Sequence, residues 1–406
     1  MRRFVLLLCS ALLTCCAHQS GFSPLPGNAQ SGDSATQYEL PLAGTGYKLL
    51  YSFKGGSDAA YPYAPLTEIN GEFYGTTYGG GGGSQWGTVF KVSKTGQEHV
   101  LYRFKAGSDG AHPFAGLTNL NGTLYGTTYQ GGTKGSGTVF KISTAGEEHV
   151  VYSFKGGSDG QYPYCRLLAL NGELYGTTYQ GGVSSGWGVV FKVSDSGQED
   201  VLYRFIADDK GTNDGAHPYA GLTDVGGTLY GTTNQGGTTG SGTVFKVSTA
   251  GKEAVVYSFK GGSDGQYPFA RLLYSKGQLY GTTYQGGVAN GWGTVFKVST
   301  SGTERVLYRF NANDKGTHDG AHPYYGGLVA IGSYLYGTTY QGGGPGDGTV
   351  YKLSVAGGKD QILYAFKGGS DGQYPYAGVD DSSGTLYGTT YVGGGSGAGT
   401  VFKISP

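Results

Sequence analysis

Tyr74-Gly75-Thr76-Thr77-Tyr78 returns at Tyr125, Tyr175, Tyr280, Tyr336 and Tyr387, and a further copy starting at Tyr230 ends in Asn234. The copies stand about fifty residues apart, a period at which each repeat is one supersecondary unit that cannot bury its apolar face alone. The array as a whole therefore sets the fold.

One copy shows the plan of the unit. His99 to Phe104 alternates, with Val100, Tyr102 and Phe104 on one face, and Thr138 to Ile142 is rich in β-branched and aromatic residues, so both read as strands. Asn121-Gly122 signals a tight hairpin, and Thr144-Ala145-Gly146 a second short turn. The other two connections, Gly107 to Ala115 and Gln130 to Ser136, are longer and polar. In an up-and-down sheet of four strands, alternate connections lie at opposite ends. Both long loops then share one end, the expected binding face, because ligand sites favour loops held by a rigid scaffold.

The two ends of the array complement each other. Residues 47–53 resemble the strand His99 to Phe104 but have no unit before them, whereas Gly399 to Pro406 ends on the strand that such a segment should follow. A ring uses both, and closing it removes an exposed sheet edge. The sequence thus predicts an all-β fold, a seven-bladed β-propeller of four-stranded blades closed by residues 47–53 as outer strand of the last blade.

Gly and Pro number 81 and 13 of 406 residues, about 23%, a level that without periodicity would suggest disorder. The glycines are periodic, and 35 Tyr with 18 Phe supply large side chains for a core. Lys plus Arg equals Asp plus Glu at 28 each, which gives no electrostatic case for nucleic acid.

Residues 1–16 read as an export signal, basic and then apolar over a stretch too short for a lasting membrane span. It ends Leu13-Thr14-Cys15-Cys16, similar to a lipobox, which makes Cys16 or Cys15 the lipidation candidate; ordinary cleavage near Ala17 and release is the alternative. Residues 17–46 read as a flexible Ser/Gly/Pro-rich tether, and 47–406 as the repeat domain, with Cys165 its one thiol. The expected location is the outer membrane or cell surface as a lipoprotein, otherwise the periplasm or the medium. A monomer is expected, touching membrane only through the lipid.

The repeated Tyr-Gly-Thr-Thr-Tyr, the Gly-Gly after it and Gly-Thr-Val-Phe-Lys resemble GloVer repeats, the Gloeobacter/Verrucomicrobia-type tandem-repeat family of exported bacterial proteins, over residues 47–406. The resemblance implies an exported β-propeller with varied anchoring and carries no assigned activity.

The copies are not equivalent. Ala-His-Pro at His112, His217 and His322 alternates with Gln-Tyr-Pro at Tyr162, Tyr267 and Tyr374. Trp86, Trp187 and Trp292 stand in alternate long loops, and Gln130, Gln180, Gln235, Gln285 and Gln341 follow the pentapeptide. Amides bind hydroxyls as donor and acceptor, and aromatic faces suit sugar rings, so these residues are the ligand-binding candidates. No cofactor, metal site or catalytic residue is expected: the histidines lack ligand spacing, and Lys210 and Lys315 interrupt two loops of calcium-site composition. Other departures from the repeat are insertions at 206–213 and 311–318 and the pair Cys165-Arg166. The expected function is non-catalytic, multivalent binding of glycan or another neutral cell-surface polymer. A polysaccharide lyase or hydrolase with one pocket at the channel mouth, and a scaffold for protein assembly, are the alternatives.

Overall fold

The computed structural model describes residues 46–83, 85–182, 186–206, 214–288, 291–311 and 319–406. The export signal, Cys15, Cys16, most of the tether and most of both insertions lie outside them. Seven four-stranded antiparallel sheets follow one another as blades. Blade 2 is typical: inner strand Thr118–Leu120, then Thr123–Thr128, Thr138–Ile142 and outer strand Glu148–Ser153. The described residues contain no α-helix, only four 3₁₀ turns of three residues.

The pentapeptide is the frame of the blade. In blade 2, a Cβ on Gly126 would lie 2.5 Å from Cζ of Phe140, so only glycine lets that ring lie across the strand. Thr127 donates its hydroxyl to the Cys165 carbonyl of the next blade at 3.1 Å. Thr128 pairs with the Thr138 hydroxyl across the sheet at 2.8 Å. The Gly and both Thr positions thus each have a packing or hydrogen-bonding duty, which explains why the motif repeats.

Lys48–Ser52 pairs antiparallel with Thr400–Ile404 and completes blade 7, as the sequence predicts. The seam it makes equals the others. At every junction an aromatic ending the outer strand packs edge-on against a ring of the next blade: Phe104 on Phe140 at 5.1 Å, Phe154 on Phe191 at 5.0 Å, and, across the closure, Phe53 on Phe90 at 5.0 Å. Each such pair contributes about 0.5–1.5 kcal/mol beyond its buried area.

Candidate functional site

The loop end is built from contacts between blades. The residue before each Pro has positive φ, between 55° and 63°, at Tyr61, His112, Tyr162, His217, Tyr267, His322 and Tyr374. A bulky residue rarely adopts this conformation unless its surroundings impose it. Here they do. The His112 amide donates to the Trp86 carbonyl at 2.7 Å, and its ring bonds the Tyr78 carbonyl through Nδ1 at 2.8 Å while stacking on Tyr78 at 4.3 Å. His217 repeats this on Trp187 and Tyr179, and His322 on Trp292 and Tyr284. Burial holds all three imidazoles below the usual histidine range. Tyr162, Tyr267 and Tyr374 instead dock on Ser136, Ser241 and Asp347.

The glutamines lie beside these clasps. Gln130, Gln235 and Gln341 pair through their backbones with Ala111, Ala216 and Ala321. Gln180 and Gln285 pair with Gln161 and Gln266, with side chains bonded at 3.0 Å in each case. The structure therefore brings the sequence candidates together in neighbouring seams, where their rings and amides engage one another. Among the described residues no three His, Cys, Asp or Glu side chains gather as a metal site.

One step further along the chain, the aromatic after each Pro turns to the axis. Tyr63, Phe114, Tyr164, Tyr219, Phe269, Tyr324 and Tyr376 form a closed ring with neighbouring centroids 4.3 to 5.4 Å apart. Tyr325 fills its middle, packed on Phe114 and Tyr219, and donates its hydroxyl to the Tyr164 carbonyl at 2.6 Å. This stack closes the channel toward the long loops.

On the other side of the plug, toward the short hairpins, the axis opens into a cavity of about 460 Å³. Tyr325 forms its floor, and inner-strand residues such as Leu168, Thr223, Leu273 and Asp380 form its wall. Its charged groups break the sevenfold pattern. The two residues before the inner-strand start read Pro65-Leu66, Gly116-Leu117, Arg166-Leu167, Gly221-Leu222, Arg271-Leu272, Gly327-Leu328 and Gly378-Val379. The arginine stem lies beside one of these glycines: Arg166 Cδ would sit 3.6 Å from a Cβ on Gly116.

Arg166 donates through Nη2 to the Thr67 hydroxyl at 2.9 Å and stands 3.9 Å from an Asp380 carboxylate oxygen. Arg271 reaches the Thr223 hydroxyl at 3.3 Å. Burial, and then the charge of Arg166, lowers Arg271 to about 10. Burial raises Asp380 to about 6 against the pull of Arg166, the Leu66 amide and Arg271. Its Oδ2 is buried without a hydrogen-bond partner among the described residues. Asp224, also on the wall, caps the Gly227 amide at 2.8 Å.

Of these residues the sequence singles out Arg166 alone, as part of Cys165-Arg166. Tyr325 is a one-residue insertion between the Pro-aromatic pair and Gly-Leu, visible only when the seven copies are aligned at that place. It has a structural cost. The first Thr of the pentapeptide reaches a carbonyl of the following blade from Thr76, Thr127, Thr177, Thr232, Thr338 and Thr389. Thr282, which faces the insertion, has a buried hydroxyl without a partner among the described residues. Leaving such a group unpaired costs about 1–3 kcal/mol, against which stand the hydrogen bond and ring packing that Tyr325 brings.

The chain is similar in fold to the polysaccharide lyase Uly1, at 12% identity and TM-score 0.54, covering 88% of this chain and 99% of that one. It is also similar to a puromycin hydrolase S511A mutant, at 12% identity and TM-score 0.51, covering 82% of this chain but only half of that one. At these identities the likeness shows the propeller alone. No curated protein matches the chain. The model of the Gloeobacter/Verrucomicrobia repeat matches residues 27–212, 80–291 and 264–406, and the chain belongs to that repeat family.

Proposed function

We propose that this is an exported, surface-anchored, non-catalytic binding propeller that receives a glycan end in its axial cavity. The carrying observation is the cavity itself: about 460 Å³ of largely apolar-walled space into which Arg166, Arg271 and Asp380 are set, with Tyr274 beside it 40% exposed, in a molecule whose loop-end aromatics are consumed by the plug and the clasps. Sugar rings suit such a site, since hydroxyls meet Arg donors and the Asp380 carboxylate while an exposed aromatic offers an apolar face. Binding of the purified full chain to a glycan array tests it. Signal on a defined saccharide class supports the reading, and silence across neutral and acidic glycans contradicts it.

One observation favours a second reading, a lyase or hydrolase acting in the same cavity. Asp380 holds a carboxyl near pKa 6 with a free oxygen, as a general acid or base requires. Cleavage of a polysaccharide by the full chain, lost in D380N, would establish it.

A further inference from the structure

We infer that the axial cavity recognises an anionic sugar, one whose ring carries a carboxylate or sulfate, and that Arg166 and Arg271 hold the oxyanion. The inference rests on the glycan reading above and narrows its ligand class.

The first support is placement. Five blades carry Gly or Pro where blades 3 and 5 place Arg166 and Arg271, so the side chains enter a channel that the repeat otherwise keeps empty. An arginine placed for surface solubility or blade packing has no need of the axis.

The second is charge. Two guanidinium groups share the cavity with Asp380, at the limit of ion-pair distance from Arg166, and with Asp224, whose carboxylate already caps Gly227. Arg271 makes no ion pair within 4 Å among the described residues: the Thr223 hydroxyl is its hydrogen-bond partner, and Asp380, which favours its charge from farther off, is shared with Arg166. A buried cation so weakly compensated is costly, and a bound oxyanion removes the cost. The planar guanidinium fork matches a carboxylate or sulfate with two parallel N–H donors, a geometry that lysine would not give.

The third is shape. Thr67 and Thr223 each accept from an arginine and donate onward to the Leu117 and Leu272 carbonyls of the next blade. The guanidinium groups are thus tied to the rigid inner strands, so little ordering remains to be done on binding.

The test is calorimetric titration of the full chain with tetragalacturonate, neutral galactotetraose, a sulfated disaccharide and inorganic sulfate. The expected result is binding of an acidic saccharide at least about tenfold tighter than of the neutral one, weakened by salt, and lost by a similar factor in R166Q and in R271Q. The two acidic probes separate a carboxylate from a sulfate ligand. Equal affinity for neutral and acidic saccharides, or R271Q binding like the parent while melting like it, overturns the anion assignment and leaves the glycan reading standing. Binding of inorganic sulfate with no gain from any sugar keeps the anion site and removes the glycan. No binding by any probe overturns both.

Discussion

The backbone amide of His112 donates to the carbonyl of Trp86 at 2.7 Å, and the two rings meet edge to face at 5.2 Å. The same pairing recurs at Trp187 with His217 and Trp292 with His322, at 5.1 and 5.3 Å. Where the docking residue is Ser136, Ser241 or Asp347, the partner is Tyr162, Tyr267 or Tyr374, and at the closure Tyr61 docks on Ala398. A large residue in one blade accompanies His in the next, and a small one accompanies Tyr. The alternation of His and Tyr copies is therefore a rule of fit between neighbouring blades.

That rule predicts a coupled pair. W86S and H112Y should each destabilise the ring by about 1–3 kcal/mol, the first by a void and the second by crowding. The double variant recreates the Ser136 and Tyr162 junction and should recover much of the loss. Chemical denaturation of the four proteins gives the coupling; strict additivity would show that the two sites are independent.

The frame of the fold was legible because each blade repeats it. Tyr-Gly-Thr-Thr-Tyr, the short turns and the unmatched ends each report a local rule, and Lys48–Ser52 against Thr400–Ile404 closes the ring they imply. The cavity was harder to read. Its chemistry depends on single departures, Arg166, Arg271, Tyr325 and Asp380, brought to one axis from blades 3, 5, 6 and 7, and no local pattern marks them. The His and Tyr residues before each Pro repeat because they clasp neighbouring blades, and the aromatics after it because they form the plug.

Closure by the N-terminal strand makes Phe53 equivalent to Phe154. Both are fully buried, and both pack edge-on against the next blade at 5.0 Å. F53A should cost about as much as F154A, on the order of 3–5 kcal/mol by thermal or urea unfolding. A near-neutral F53A would mean the ring does not depend on its closing strand.

Gly126 lies under Phe140, and a methyl group there would overlap the ring. G126A should lower stability by about 1–3 kcal/mol. If F140A were combined with it, the methyl group should cost less, because the nearest obstacle is gone, although Leu117 Cδ2, at 2.9 Å, remains. An equal penalty in both backgrounds, measured by thermal unfolding, would point to the backbone instead.

Six junctions place a second carboxyl beside the Asp that caps the long loop. In blade 2, Asp109 accepts the Lys105 amide and the Tyr102 hydroxyl, and burial, followed by the charge of Asp109, raises Glu148 to about 7, with Tyr102 and Lys105 pulling it down. Glu98 and Asp58 share a seam with Tyr51 and Arg103, Glu253 and Asp214 with Tyr203, and Glu304 and Asp264 with Tyr257 and Arg309; each Glu rises to about 7. Glu199, beside Asp159, Tyr152 and Asp200, rises to about 8, and Asp360, beside Asp319, Tyr308 and Lys359, to about 6. Carboxyls raised on folding stabilise most below their unfolded value and lose that stability as pH climbs through the folded value. The three lowered histidines act oppositely, losing stability as pH falls below about 6.5. Between pH 6.5 and 8.5 the carboxyls dominate, so the melting temperature should fall across that range. E148Q, which keeps a donor and cannot ionise, should melt above the parent at pH 8.5; equal melting there would show that Glu148 does not set the pH dependence.

Ligand enters the axial cavity and not the long-loop end under the function proposed above. The most direct measurement is glycan-array binding by three forms of the full chain: the parent, R166Q/R271Q in the cavity, and Q180A/Q285A at the loop end. The cavity variant should lose the signal by about tenfold or more while the loop-end variant keeps it. Retained binding by R166Q/R271Q, with loss in Q180A/Q285A, would contradict entry at the cavity.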